Sequence, residues 1–221
     1  MSARAEIRAV TFDVGGTLMK PWPSVGHIYS EVTARHGAKA APSLLDERFT
    51  KAWRARKHFN HTREEWEALI IEVFGGLLPA PPGETFLAET YDYFREPAAW
   101  RIFDDVAPAL DELASRDINL GIISNWDERL IPLLDKMGLS KYFAAIIVSC
   151  DVGFPKPSPV IFEQASRKLG EAPQFILHVG DSHEHDVAGA QAAGYQSLLI
   201  ERGPDDAVAG RIRSLVQLRE F

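Results

Sequence analysis

A chain of 221 residues, 46% hydrophobic and 25% charged, is long enough for one large domain or for a core domain carrying an insertion. A formal net charge of −7 argues against general affinity for nucleic acid or an anionic membrane, and one cysteine, Cys150, excludes a disulfide within the chain. No apolar run approaches the roughly 20 residues of a bilayer span, and the opening "MSARAEIRAV" lacks the apolar length of a secretory signal, so a cytoplasmic protein with no membrane or nucleic-acid partner is expected.

The first element is "IRAVTF" (7–12), a short run rich in branched residues that reads as a buried strand. It delivers a single carboxylate, Asp13, into "DVGGTL" (13–18), a loop with adjacent glycines at 15 and 16. The next stretch, 20–98, reads as helical. "SVGHIYSEVTARHG" and "LLDERFTKAWRARKHF" carry helical patterns, and Arg54, Arg56, Lys57 and His58 form a solvated helix face. In "THREEWEALIIEVFGG", Thr62 and Glu65 have capping-box spacing, and Trp66, Leu69, Ile70, Val73 and Phe74 make an apolar stripe. "PAPPGE" (79–84) is a break. This stretch is an insertion with its own small core, built partly from tryptophans.

A helix near 104–116 returns the chain to the sheet. Further buried strands follow at "INLGII" (118–123), "AIIVS" (145–149), "FILHV" (175–179) and "SLLI" (197–200). Between them, "DERLIPLLDKMG" places Leu130, Ile131, Leu134 and Met137 on one face, with Asp127 as cap and Gly138 as terminator. "SPVIFEQASRKLG" starts at Ser158 with Pro159 in the first helical position and stops at Gly170. Cys150 ends an apolar strand and reads as a small buried hydrophobe. Strand–helix alternation predicts an α/β fold, a doubly wound parallel sheet formed by 1–19 and 99–221, with 20–98 inserted after its first strand.

Four strands then end in polar loops: Asp13; Ser124 with Asn125; Asp151 to Lys156; and Gly180 with Asp181. In an open parallel sheet the carboxyl ends of the strands are where ligands bind. Singly, each residue has a plainer role: Asp13 can open a turn, Lys156 can be a solvated loop lysine, and Ser124 can cap a helix. Together they offer carboxylates, a hydroxyl, an amide and an ammonium, a set suited to a phosphate with a divalent metal.

"DVGGTL", "SN", "PKP" and "GDSHEHD", in that order, resemble the motifs of the haloacid dehalogenase (HAD) superfamily. The resemblance implies a Rossmannoid core and a helical cap that closes over the crevice. It implies that Asp13 is a nucleophile forming an aspartyl-phosphate and that Lys156 balances its charge. Val14, Gly15, Ser124, Asn125 and Lys156 would bind the phosphoryl group. Asp13, the Gly15 carbonyl and Asp181 would hold Mg²⁺, with Asp186, the second acid of "GDSHEHD", orienting the metal's waters or Lys156. The implied partner is a small phosphorylated metabolite.

One position departs from that pattern. The superfamily's phosphatase loop is DxDGT, whose second aspartate protonates the leaving oxygen, and this chain has Gly15 there. The DxGGT form resembles a cap-bearing subgroup of the superfamily. Three functions stay open: an atypical Mg²⁺-dependent phosphohydrolase, a non-catalytic protein binding a phospho-ligand or a protein, and a dehalogenase. Dehalogenases also lack the second acid but typically carry Ser-Ser-Asn where this chain has Gly180-Asp181-Ser182. His183 and His185 lie near enough in sequence to replace the acid, although histidines opening a helix are commonly solvated.

Overall fold

The computed structural model describes residues 6–56, 58–78, 80–203 and 210–220. Met1 to Ala5, Lys57 and Pro79, which fall in segments quoted above, lie outside the described residues. The chain divides into two compact units, Met1–Met19 with Ile102–Phe221, and Lys20–Arg101. The return crossing falls at 101/102, three residues beyond the boundary read from the sequence, because the strand Trp100–Ile102 pairs with Met19–Pro21.

In chain order the elements begin with β1 (Ala9–Phe12) and β2 (Met19–Pro21). Helices α1 (Val25–Arg35), α2 (Pro42–Arg54), α3 (Arg63–Phe74) and α4 (Glu84–Tyr93) follow, then β3 (Trp100–Ile102) and α5 (Val106–Ser115). The remainder alternates: β4 (Asn119–Ser124), α6 (Leu130–Lys136), β5 (Ala145–Val148), the single turn α7 (Ser149–Val152), α8 (Pro159–Leu169) and β6 (Ile176–Gly180). A π turn at His183–Ala188 leads into α9 (Gly189–Ala192), followed by β7 (Gln196–Ile200) and β8 (Arg211–Ile212).

The sheet is parallel throughout, in the order β5-β4-β1-β6-β7-β8, while β2 and β3 form a separate ribbon. β1 is central: Phe12 stands opposite Ile122 on one side and Val179 on the other. Every residue of β1 and β6 is buried, as a sheet covered on both faces requires. Alternate side chains go to opposite faces. Ala9, Ile123, Ala145, Ile147 and Ile176 pack with Ile161, Phe162, Ala165 and Leu169 of α8. The progression from β1 runs outward through β4 and β5 in one direction and through β6 and β7 in the other, so the strand order reverses at β1. In open parallel sheets such a reversal is the usual place for a ligand, here at the carboxyl end of β1.

The inserted unit carries a core of its own, including Ile28, Tyr29, Val32, Leu45, Leu69, Val73, Phe74 and Phe86. The capping box forms: the Glu65 N–H donates to Thr62 Oγ1 at 3.3 Å, and the Thr62 N–H to Glu65 Oε2 at 3.5 Å. Ser158, Pro159 and Gly170 also delimit α8 as the spacing predicts, with Gly170 at φ +71°. No helix among the described residues is long and apolar enough to cross a membrane.

Four local expectations are corrected. α2 stops at Arg54, so the basic run is not one helical face; Arg56 turns back to donate to the Ala52 carbonyl at 2.6 Å and pairs with Glu72. On α6 the buried residues are Leu130, Leu133 and Leu134, while Ile131 is exposed, the result of an i, i+3, i+4 face. Asp127 does not cap that helix but forms a buried ion pair with Arg129 and accepts its N–H. Cys150 is exposed on α7 instead of buried in a strand, because β5 ends at Val148. Partial desolvation of its sulfur and the neighbouring Asp151 push the thiol up to about 12, away from the reactive thiolate form.

Candidate active site

The end of β1 places Asp13 between β4, which ends in Ser124, and β6, which ends in Gly180. The parallel register fixes this: the Asp13 N–H continues the ladder by donating to the Val179 carbonyl at 2.9 Å. Beyond it the chain turns sharply, with Leu18 and Met19 N–H groups returning to the Val14 carbonyl. Gly16 makes the turn at φ +80°, and a Cβ there would stand 2.1 Å from Asp181 Oδ2. The second glycine of the loop is therefore required twice over, by its dihedral and by the carboxylate lying against it. The far end of the loop is tied down by Arg202, which donates to the Thr17 carbonyl at 2.6 Å and to both oxygens of Asp105 at 2.9 and 3.0 Å.

Lys156 is the hub. Its ammonium, with the side chain only 2% exposed, donates to Asp13 Oδ1 at 2.7 Å, Asp186 Oδ1 at 2.6 Å and the Ile123 carbonyl at 2.9 Å. Three acceptors satisfy all three ammonium protons. The Ser124 hydroxyl donates to the same Asp13 oxygen at 3.1 Å. Asn125 clasps the lysine's backbone: its Nδ2 donates to the Lys156 carbonyl at 3.0 Å and its Oδ1 accepts the Lys156 N–H at 2.6 Å. That leaves one Nδ2–H of Asn125 for a ligand. The amide therefore sets the position of the ammonium as much as it could contact a phosphate.

Asp13, Asp181 and Asp186 bring carboxylate oxygens within 4.8 Å of one another. Asp186 is held by three donors, Lys156 and His178 on Oδ1 and the Ser182 N–H on Oδ2 at 2.9 Å. Burial opposes ionisation of Asp186, but Lys156 and His178 outweigh it and hold the carboxyl well below the usual range. Burial raises Asp13 above its ordinary value despite Lys156. It likewise works to lower Lys156, and the two carboxylates more than reverse it. Asp181 is pushed up to about 7, by desolvation of its carboxyl and then by the like charges of Asp13 and Asp186. Among the described residues, three carboxyl groups thus cluster beside one lysine ammonium.

Of the residues predicted from sequence, Asp13, Ser124, Asn125, Lys156, Asp181 and Asp186 converge here, with Val14 and Gly15 in the adjoining turn. Asp151, by contrast, is exposed on α7 and bonds to its neighbour Cys150. His183 and His185 are exposed, as expected for the start of a helical turn. The sequence reading missed His178 in β6, a fully buried imidazole on Asp186. The available signal was one titratable residue in the otherwise apolar run "FILHV", three residues before Asp181. Trp126 was also missed. Its backbone is pinned by Ser149, and its ring is the nearest group to a Cβ built on Gly15, at 3.4 Å.

Known proteins resemble this chain in sequence and in fold. Haloacid dehalogenase-like hydrolase domain-containing protein 3 from Homo sapiens is 32% identical over 211 residues, spanning 90% of this chain and 84% of that protein. Among solved structures, a HAD phosphatase from Thermococcus onnurineus aligns with TM-score 0.70 and 26% identity over 97% of both chains. The HAD-hydrolase YfnB from Bacillus subtilis, bound to magnesium, aligns with TM-score 0.79 over 97% of this chain and 98% of that one; at 19% identity this likeness concerns the fold. The haloacid dehalogenase-like hydrolase family profile matches residues 7–194, which takes in β1 through α9 and every residue of the cluster, and the chain belongs to that family.

Proposed function

We propose that this chain hydrolyses small phosphomonoesters through an aspartyl-phosphate on Asp13, with Mg²⁺ as cofactor and a small cytoplasmic metabolite as substrate. The observation that supports the reading best is the convergence of a buried nucleophile, its ammonium partner and an acidic trio at the sheet's switch point. The donor set fits the ion: hard oxygens from Asp13 and Asp181 and the Gly15 carbonyl would hold it, with Asp186 alongside. Burial first, and then the charges of Asp13 and Asp186, push Asp181 up to about 7, and a divalent cation at the trio would favour its ionised form. When bound, Mg²⁺ supplies charge neutralisation on the phosphoryl oxygens.

The chain's own groups carry the remaining work. An Asp13 carboxylate oxygen attacks phosphorus, and the bond to the leaving oxygen breaks as the acyl phosphate forms. Lys156 opposes the rise that burial imposes on Asp13 and faces the charge of the transferring group, Ser124 Oγ donates to it, and Asn125 keeps the lysine in place. Water then cleaves the acyl phosphate and restores Asp13.

Gly15 leaves the departing alkoxide without an acid. This favours leaving groups that depart unprotonated, and it is the specific observation behind a second reading, phospho-ligand binding without turnover. Phosphate release from p-nitrophenyl phosphate and from a panel of sugar and alkyl phosphates, with and without Mg²⁺, separates the two. Metal-dependent release supports the hydrolase, whereas vanadate binding with no release supports the binding protein. Chloride release from a 2-chloro acid without metal would overturn both.

The slot beside Gly15 makes a sharper test. Gly15 lies outside the left-handed region, and among the described residues a Cβ on it meets only Trp126 Cζ3, at 3.4 Å. Gly15→Asp is therefore expected to fold normally and to raise kcat on alkyl phosphates, toward the about 10²–10⁴-fold of general acid catalysis. p-Nitrophenyl phosphate should gain little. Equal gains on both substrates would contradict the missing-acid account.

The acidic trio also sets a pH dependence. A native Asp181 pKa of about 7 lies above the unfolded value of 3.8, so the ion-free protein loses stability from this group as pH rises between them. Mg²⁺ binds the ionised form, so its stabilising effect grows over the same window. The Mg²⁺-induced rise in Tm is expected to be larger at pH 8 than at pH 5.5, as scanning fluorimetry would show.

A further inference from the structure

We infer that His178 is a positioning residue for the Asp186–Lys156 pair: Thr11 holds its imidazole as the Nε2–H tautomer, and that proton fixes the carboxylate sharing Lys156 with Asp13. The catalytic consequence rests on the phosphohydrolase reading; the hydrogen-bond assignment does not.

His178 is 0% exposed, and its ring stands edge-on to Phe162 of α8 at 5.4 Å and 89°. Thr11 and His178 are register partners on neighbouring strands, so the sheet itself brings the hydroxyl to the ring. Both nitrogens are engaged, Nδ1 with Thr11 Oγ1 at 2.9 Å and Nε2 with Asp186 Oδ1 at 3.2 Å. An ionised carboxylate only accepts hydrogen bonds, so Nε2 carries the proton. The neutral ring has no second proton, so Nδ1 accepts and the Thr11 hydroxyl donates. A doubly protonated ring would put a second cation in a dry site beside the Lys156 ammonium. Thr11 thus works at one remove: a methyl in place of its hydroxyl would free the ring to take the other tautomer, with a bare nitrogen facing a carboxylate.

The effect reaches the nucleophile through geometry. Asp186 Oδ1 accepts from Lys156 and His178 together, and Oδ2 from the Ser182 N–H, which locks the carboxylate plane. With the His178 proton removed, Oδ1 has only Lys156. The carboxylate can then turn toward the ammonium and draw it from Asp13 Oδ1, 2.7 Å away on its other side. Packing alone would not need this residue, since leucine fills a similar buried volume.

The test uses the full chain with His178→Leu, His178→Gln, Thr11→Val and the Thr11→Val/His178→Leu double variant, all checked for folding by circular dichroism. On p-nitrophenyl phosphate, His178→Leu should lower kcat by about 10–100-fold with KM little changed, the range for groups that orient ligands from outside. His178→Gln, whose amide N–H reaches the position of Nε2, should recover most of the loss. Thr11→Val should lose less, and the double variant no more than His178→Leu alone. A folded His178→Leu with unchanged kcat, or a Gln variant no better than Leu, overturns the inference. Two readouts need no turnover. Nitrogen NMR of the labelled imidazole should show Nε2 protonated and Nδ1 bare, and calorimetry should show Mg²⁺ affinity falling in Leu and returning in Gln. A protonated Nδ1, or affinities that do not separate Leu from Gln, also overturns it. Absence of wild-type turnover defeats the phosphohydrolase reading instead, and these two measurements then decide this one.

Discussion

Asp13→Asn is expected to abolish phosphate release, by about 10⁴-fold or more in kcat, without loss of stability. The two halves of that expectation come from the same environment. Burial makes the site costly for the Asp13 charge even beside Lys156, so a neutral amide of the same shape relieves a penalty. Lys156 keeps Asp186 and the Ile123 carbonyl as acceptors. Chemistry disappears because an amide oxygen is not a nucleophile toward phosphorus at neutral pH. Thermal melts of the variant should match or exceed the wild type, while single-turnover assays show no hydroxylamine-labile phosphoprotein. Retained turnover would show that another group attacks.

Lys156→Met reverses the pattern, with activity and stability both lost. The ammonium sits between two buried carboxylates with its side chain 2% exposed, and removing one partner of such a cluster costs about 3–5 kcal/mol. Lys156→Arg should be little better, because a planar fork cannot replace a compact ammonium meeting acceptors on three sides. Adding Asp186→Asn to Lys156→Met should recover part of the stability and none of the activity, since it removes one stranded charge without restoring the one that faces phosphate. Urea denaturation of the three variants measures this. A Lys156→Met protein as stable as the wild type would mean that the carboxylates are neutral there or reach water.

Much of this architecture is legible in the sequence because its signals are local. The run into Asp13, the capping box at Thr62 and Glu65, and the Ser158–Pro159–Gly170 frame of α8 each follow from a few adjacent residues and one physical rule. The loops of the candidate site are visible because four polar loops follow buried runs, and parallel strands send such loops to one edge. What escaped depends on partners far along the chain. His178 looks like an ordinary strand residue until Thr11 and Asp186 stand on either side of it. The short strands β2, β3 and β8, two or three residues each, carry no period to detect. Asp127 has the sequence of a cap, yet Arg129 two residues on claims its carboxylate. Cys150 was misplaced by one short helical turn, which lifts it out of the strand's register.

The central position of β1 bears on how the molecule comes into being. Sequence separations of 111, 143 and 167 residues divide Asp13 from Ser124, Asp13 from Lys156, and Thr11 from His178. A nascent chain leaving the ribosome exposes its first strand long before either neighbour exists, and distant pairings of this kind form slowly. The helical segment behind it draws its apolar core from residues 25–100, and its long contacts, such as the ring pair Tyr29–Phe94, close shorter stretches of chain than the pairings of β1. Order of synthesis and order of assembly therefore differ: the later-made helices can consolidate first, while the strand that opens the chain waits for "FILHV" to emerge. During that interval a sticky β edge is unprotected, which makes the early strand, and not the insertion, the place where chaperone engagement or misassembly would begin.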